Sequence, residues 1–240
     1  LPLSYSSLKQ FAISPNHFLA YKARETKPTA SMILGTALHT MVLEPAEFDS
    51  RYLIIPDGTR RGTKAFKEFE ALAAVRGEDV EILKEGELVP IKRMRDNIFD
   101  HPEAGKLLAM CDTFEQRSAW TFNGLEFHGF VDAEGPEVIV DLKTTQDASE
   151  RKFTRQLIDL KYYWQAALYL AASGYKKQFY IIAVENKSPH NVAVYKLSQQ
   201  FIDLAVNQLI ETTNRFKKWD GMPESYSNEI IDITPPNYLL

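Results

Sequence analysis

The segment GFVDAEGPEVIVDLKTT, from Gly129 to Thr145, restricts this chain more than any other stretch. Val138, Ile139 and Val140 form an unbroken apolar, β-branched run, the pattern of a strand covered on both faces. The run leads straight into Asp141, Leu142 and Lys143. Alternate residues of a strand share a face, so Asp141 and Lys143 point into one place, while Leu142 turns its side chain away and keeps its carbonyl available. A short link separates this run from Asp132, nine positions before Asp141. Antiparallel strands joined in this way can set both carboxylates at one end of a sheet. Converging oxygen ligands suit a hard divalent cation such as Mg²⁺ or Mn²⁺. Taken alone, Asp-x-Lys reads more readily as a surface ion pair of small worth. The second aspartate, the apolar lead-in and the following Thr144-Thr145 favour the cation site.

The rest of the chain supplies the surroundings. Ser4 and the Ser14-Pro15 pair mark two helix starts, and an apolar-rich helix is expected from about Ala30 to Leu43, stopped by Pro45. A short strand, RYLIIP, follows. The segment from Asp57 to Leu83 reads as a basic loop that becomes an amphipathic helix, and Glu85 to Met110 as another helix with an end or sharp turn at His101-Pro102. Asn123-Gly124 between two strand-like runs is a hairpin signal. Strands are expected at EVIVDLKTT, FYIIAVEN and NVAVYKLS, with one helix from about Glu150 to Gly174 and a last helix over SQQFIDLAVNQLIETTNRFKKWDG, Ser198 to Gly221, with Trp219 near its end. The order is helices, then β-β-β-α-β-β, then a helix, which implies an α/β or α+β domain around a mixed sheet. We read residues 1–240 as one domain: 1–110 mostly helical, 111–220 the core sheet with the metal site, 221–240 an extended tail.

Composition narrows the chemistry. Cys111 is the sole cysteine, which excludes an intrachain disulfide and a cysteine-ligated zinc or iron–sulfur centre built from this chain alone. A reducing cytoplasm is the compartment this suggests. No stretch approaches the roughly 20 apolar residues of a membrane helix, and the first residues read without a signal peptide. The formal net charge of −4 argues against non-specific coating of nucleic acid, but not against a local groove that grips it.

Asp132 and Asp141-Leu142-Lys143 together resemble the PD-(D/E)xK nuclease signature, with Val131-Asp132 in place of the usual Pro-Asp. LGTALHTMVLEPAEFDSRY, Leu34 to Tyr52, resembles the Gly-x-x-x-His helix of the RecB-like branch, and YYWQAALYL, Tyr162 to Leu170, its Gln-x-x-x-Tyr motif. With RRGTKAFKEFEA and DLKTTQDA, the set is most similar to the nuclease domains of the RecE (exonuclease VIII) type from prophage recombination systems, over about Ser4 to Ala183. Phe130-Val131 stands where relatives often carry Arg-Pro, and Tyr163 where some carry histidine.

The resemblance implies a restriction-endonuclease-like core with a mixed central sheet flanked by helices and an N-terminal helical elaboration. It implies that His39, Asp132, Asp141 and the Leu142 carbonyl hold a catalytic Mg²⁺, with Mn²⁺ able to substitute. Lys143 then helps activate the attacking water, and Gln165 and Tyr169 orient Lys143 or contact DNA. It also implies a hydrolase of phosphodiester bonds: an exonuclease that digests linear double-stranded DNA from its ends, 5′ to 3′, leaving 3′ single strands. A single-strand annealing partner of the RecT type and a ring-shaped homo-oligomer, trimer or tetramer, go with that activity.

Other residues stay open between roles. Glu115 is either a further carboxylate of the site or a surface residue. Arg60, Arg61 and Lys64 are either a solvated charge run or a seat for a phosphate at a helix start. Three other readings remain: a nuclease of the same superfamily with another polarity, such as those of CRISPR adaptation, a non-catalytic DNA- or protein-binding module on the same fold, or a metal-binding structural protein that meets no nucleic acid. The lone cysteine speaks against the cluster-bearing members of the first, the intact Asp, Asp, Lys and His against the second, and DNA affinity in Ca²⁺ distinguishes the third.

Overall fold

The structure is a computed structural model and describes residues 2–24, 28–77, 79–224, 230 and 232–233. Most of the expected 221–240 tail lies outside the described residues. The N-terminal half contains α1 (Tyr5–Ile13), α2 (Pro15–Ala23), α3 (Ala30–Leu43), a 3-10 turn (Pro45–Glu47) running into α4 (Phe48–Arg51), β1 (Tyr52–Ile55), α5 (Lys64–Arg76), β2 (Glu81–Lys84), α6 (Glu85–Asp100) and α7 (Pro102–Ala109). The second half contains β3 (Thr113–Phe122), β4 (Leu125–Glu134), β5 (Val138–Thr145), α8 (Glu150–Asp159), α9 (Tyr162–Ala172), β6 (Gln178–Glu185), β7 (Val192–Lys196) and α10 (Gln199–Lys218).

Five strands form a mixed sheet in the order β3-β4-β5-β6-β7, in which β5 and β6 are parallel and the other neighbours antiparallel. The parallel pair is joined through α8 and α9, and helices cover both faces. Ile139, Ile181 and Ala183 pack into one core with residues of α8, α9 and α10, whereas Val138, Val140, Leu142, Ile182 and Val184 pack into another with α3, α6 and α7. The alternation in β5 and β6 is therefore between two cores rather than between core and water, which is why both strands read as apolar runs. The expected fold class is thus the observed one.

Local sequence explains several boundaries. Ser4 caps α1 with a capping box, and Ser14 caps α2 with Pro15 in its first turn. His101 caps α7 by accepting from the Ala104 amide at 3.3 Å, so the expected turn at His101-Pro102 is a clean break between helices. Asn123 and Gly124 both adopt left-handed backbone, as a two-residue hairpin requires. Trp219 sits among the rings of Phe11, Phe18 and Phe216, and its indole N–H donates to the Met222 carbonyl at 2.8 Å.

Two expectations need correction. The helix expected over 150–174 is two helices, because Lys161 adopts φ +56° and breaks the chain between α8 and α9. The Tyr5 hydroxyl donates to the Leu160 carbonyl at that break and ties it to α1. The stretch after α5 does not stay helical: α5 stops at Gly77, and β2 pairs in parallel with β1 as a small separate sheet. This pair, with Phe66 and Ala73 of α5, has its own small core. Among the described residues no helix is long and apolar enough to cross a membrane.

Candidate metal centre

Where β3, β4 and β5 lie side by side, two regular ladders are interrupted at one spot. Between β3 and β4 the rungs Phe114–Ala133 and Gln116–Val131 form, but Glu115 and Asp132 between them do not pair. Glu115 has φ +47°, a left-handed conformation that costs a non-glycine residue about 1–2 kcal/mol. Between β4 and β5 the rungs Ala133–Val140 and Glu134–Ile139 form, and the ladder then stops. In place of the next rung, the Asp132 carboxylate (Oδ2) accepts the Leu142 amide at 2.7 Å. The strands part there, and the opening is where the acidic side chains gather.

Helix α3 brings the imidazole. Thr29 caps it, and Ala37, Leu38, Met41 and Val42 anchor it to the core, which leaves His39 on its flank. His39 Nδ1 lies 3.3 Å from Glu115 Oε1 and 3.7 Å from Asp132 Oδ2. One donor atom from each of His39, Glu115 and Asp132 falls within 4.8 Å of the others, which is the size of a coordination shell. Burial alone would lower the His39 pKa, but Asp132 and the hydrogen bond to Glu115 outweigh it and raise it.

Asp141 and Lys143 form the neighbouring pair. The ammonium of Lys143 lies 2.8 Å from Asp141 Oδ1 and 2.7 Å from Oδ2, and 5.0 Å from the centre of the Tyr162 ring. Asp141 is 1% exposed, and burial, with Asp132 adding to it, raises its carboxyl to about pKa 6 against the pull of Lys143. Burial would lower Lys143, but Asp141 and Asp132 hold it charged, above the usual lysine range. Asp141 Oδ2 is buried without a well-directed hydrogen bond. The Lys143 ammonium at 2.7 Å offsets part of the cost of burying that oxygen, and a second cation would offset more. With His39 neutral, three carboxylates and one ammonium sum to −2, and the donor set of oxygens plus one imidazole fits a hard divalent ion.

The other expected site residues fall into three groups. Gln165 and Tyr169 lie on one face of α9: Gln165 Nε2 donates to the Tyr169 hydroxyl at 3.3 Å, and that hydroxyl donates to the Phe130 carbonyl at 2.7 Å. Their hydrogen bonds therefore hold β4 two residues before Asp132 and do not reach Lys143. Leu142 meets the cluster through its amide N–H. Arg60, Arg61 and Lys64 are exposed at the start of α5, away from the cluster; Arg61 borders a cleft on the other side of α3, with Ile33 and Leu34.

Sequence reasoning missed Gly129, Tyr162 and Tyr5. A side chain on Gly129 would meet Tyr169 Cε1 at 2.9 Å, so only glycine lets the tyrosine reach β4. A glycine inside a strand is the signal that could have found it. Tyr162 was visible three residues before Gln165, but its place under Lys143 was not.

A solved structure of a putative exonuclease from Eubacterium rectale superposes with a TM-score of 0.67 at 14% identity, covering 99% of this chain and 91% of that one. At that identity the likeness concerns the fold. A comparison with curated proteins gives no match. Residues 4–226 match the family described as a PDDEXK-like domain of unknown function (DUF3799), and the chain, which carries a mixed sheet with a buried carboxylate–lysine pair beside a His-Glu-Asp cluster, belongs to this family.

Proposed function

We propose that this chain is a divalent-metal-dependent exodeoxyribonuclease that degrades linear double-stranded DNA in the 5′-to-3′ direction and leaves 3′ single strands for recombination by strand annealing. The observation that carries the reading is the meeting of His39, Glu115 and Asp132 beside the buried Asp141–Lys143 pair. Mg²⁺ is the proposed ion, held by His39, Asp132, Asp141 and the Leu142 carbonyl, with Glu115 as a further ligand. When bound, it supplies Lewis-acid polarisation of a phosphoryl oxygen.

The chain's own groups do the rest. Lys143 stays an ammonium between two carboxylates, so it offsets charge on the phosphate and orients the attacking water rather than taking a proton from it. The water oxygen bonds to phosphorus as the bond to the 3′ oxygen breaks; the water loses a proton to solvent and the 3′ oxygen gains one from it, which leaves a 5′-phosphate and a 3′-hydroxyl. Tyr169 and Gln165 hold β4 in place, and Arg60, Arg61 and Lys64 are a seat for a terminal or backbone phosphate. Resemblance to the RecE type also supports a ring-shaped homo-oligomer with a basic lumen and an annealing partner of the RecT type.

The test uses linear duplex DNA labelled at either the 5′ or the 3′ ends, closed circular duplex as control, and the wild type beside Lys143→Ala. Release of 5′ label first, from linear DNA only and by the wild type only, is the expected result. If neither protein cuts any DNA in Mg²⁺ or Mn²⁺, the nuclease reading fails. Release of 3′ label first overturns the polarity alone.

A further inference from the structure

The cavity at the metal cluster does not end there. Its mouth is lined by Ser31, Gly35, Thr36, His39, Glu115 and Thr144, and Ser31 and Thr144 also line a second, polar groove of about 540 Å³. That groove lies at the carboxyl ends of the parallel pair β5–β6 and is lined further by Gln146, Lys152, Gln156, Asn186 and Lys187. Carboxyl ends of parallel strands are where open α/β sheets leave room for a ligand, because the chain turns away from the sheet there.

We propose that this groove is a nucleotide subsite: it holds the sugar-phosphate backbone next to the scissile bond, with one strand of the nucleic acid in it. The inference rests on the nuclease reading and adds to it where the cut strand runs. Lys152 and Lys187 are exposed, offer two cations, and have no carboxylate in ion-pair contact among the described residues. Asp147, the one acid of the lining, accepts from the Ser149 amide at 2.9 Å; its pKa is lowered mainly by Ser149, with Lys152 and Arg151 adding to it, so Lys152 keeps only a longer-range attraction to this carboxylate. Gln156 is engaged with the Thr145 hydroxyl at 2.7 Å.

Asn186 ties the groove to the sheet: its backbone N–H donates to the Thr145 carbonyl and extends the β5–β6 ladder. The phosphates of a nucleic-acid backbone supply acceptors for the two lysines. A volume of about 540 Å³ has room for a nucleotide and not for a length of duplex, so the groove follows one strand.

The experiment measures binding of a fluorescent single-stranded oligonucleotide by anisotropy, in Ca²⁺ and over a series of salt concentrations. It compares the wild type, Lys152→Ala/Lys187→Ala, and a control double variant, Lys106→Ala/Lys196→Ala, in the cleft between α7 and β7. Loss of two phosphate contacts is expected to make the slope of log K against log salt shallower by about 1.4, with the control unchanged. A groove variant with the wild-type slope, beside a wild type that binds and cuts DNA, overturns the subsite and leaves the nuclease reading standing. A wild type that neither binds nor cuts DNA overturns both.

Discussion

Gly129→Ala is expected to destabilise the protein by about 1.5–3 kcal/mol, and the loss should vanish when Tyr169 is shortened. The added methyl would lie 2.9 Å from Tyr169 Cε1, 3.0 Å from its hydroxyl oxygen and 3.3 Å from Trp120 Cη2. The ring cannot simply swing aside: it is buried, meets Trp120 edge-on at 5.7 Å and is tied to the Phe130 carbonyl. Overpacking of this kind costs about 1–3 kcal/mol, and losing the tyrosine's hydrogen bond adds about 1. The lower backbone entropy of unfolded alanine returns about 0.5–1. For a chain of this length the melting temperature should drop by roughly 5–9 °C. Urea or thermal denaturation measures the effect, in the wild type and in a Tyr169→Leu background. In the second, the two closest contacts of the methyl are gone and Trp120 Cη2 at 3.3 Å remains, so the further loss is expected to stay below about 1 kcal/mol. An equal loss in both backgrounds, or none in either, would refute the steric account.

Further outcomes follow from the cluster. Mg²⁺ or Mn²⁺ at about 100 times its dissociation constant is expected to stabilise the wild type by about 2.7 kcal/mol, and His39→Ala or Glu115→Ala to weaken that gain, read as a shift in melting temperature. Lys143→Ala leaves Asp141 buried and unpaired, so the metal-free protein should lose about 3–5 kcal/mol and recover part of it on adding metal; an unchanged metal-free stability would contradict the pairing. The two pH slopes run in opposite directions. Asp141's carboxyl, raised to about 6, takes up a proton in the folded state first, so this group favours the metal-free fold as pH falls from about 6 towards 4. Metal must displace that proton, so calorimetry is expected to show affinity falling about tenfold per pH unit below 6.

How much of this was legible depends on whether the cause was local. Val138 to Lys143, Asn123-Gly124 and Ser14-Pro15 announced themselves, because apolar runs, hairpin turns and caps are set by neighbouring residues. The break between α8 and α9 falls on Leu160 and Lys161, both good helix formers, and nothing local marks it. It is held from a distance, by Tyr5. Glu115 tells the same story: a glutamate in a strand gives no sign of left-handed backbone, yet that twist puts its carboxylate beside His39. The aspartates and lysine were found from spacing, whereas the roles of Gly129 and Tyr162 exist only once α9 has packed on β4 and β5.

The Asp132 carboxylate that stands in for a rung between β4 and β5 gives the centre a built-in reporter. The oxygen that takes the Leu142 amide also faces His39, so any change in charge at the cluster alters the polarisation of a single N–H. The chemical shift and exchange rate of that one proton should therefore follow loading of the site, without any label placed near the chemistry. For the same reason Asp132→Asn, which keeps an oxygen for the amide, separates loss of charge from collapse of the strands, whereas Asp132→Ala merges the two.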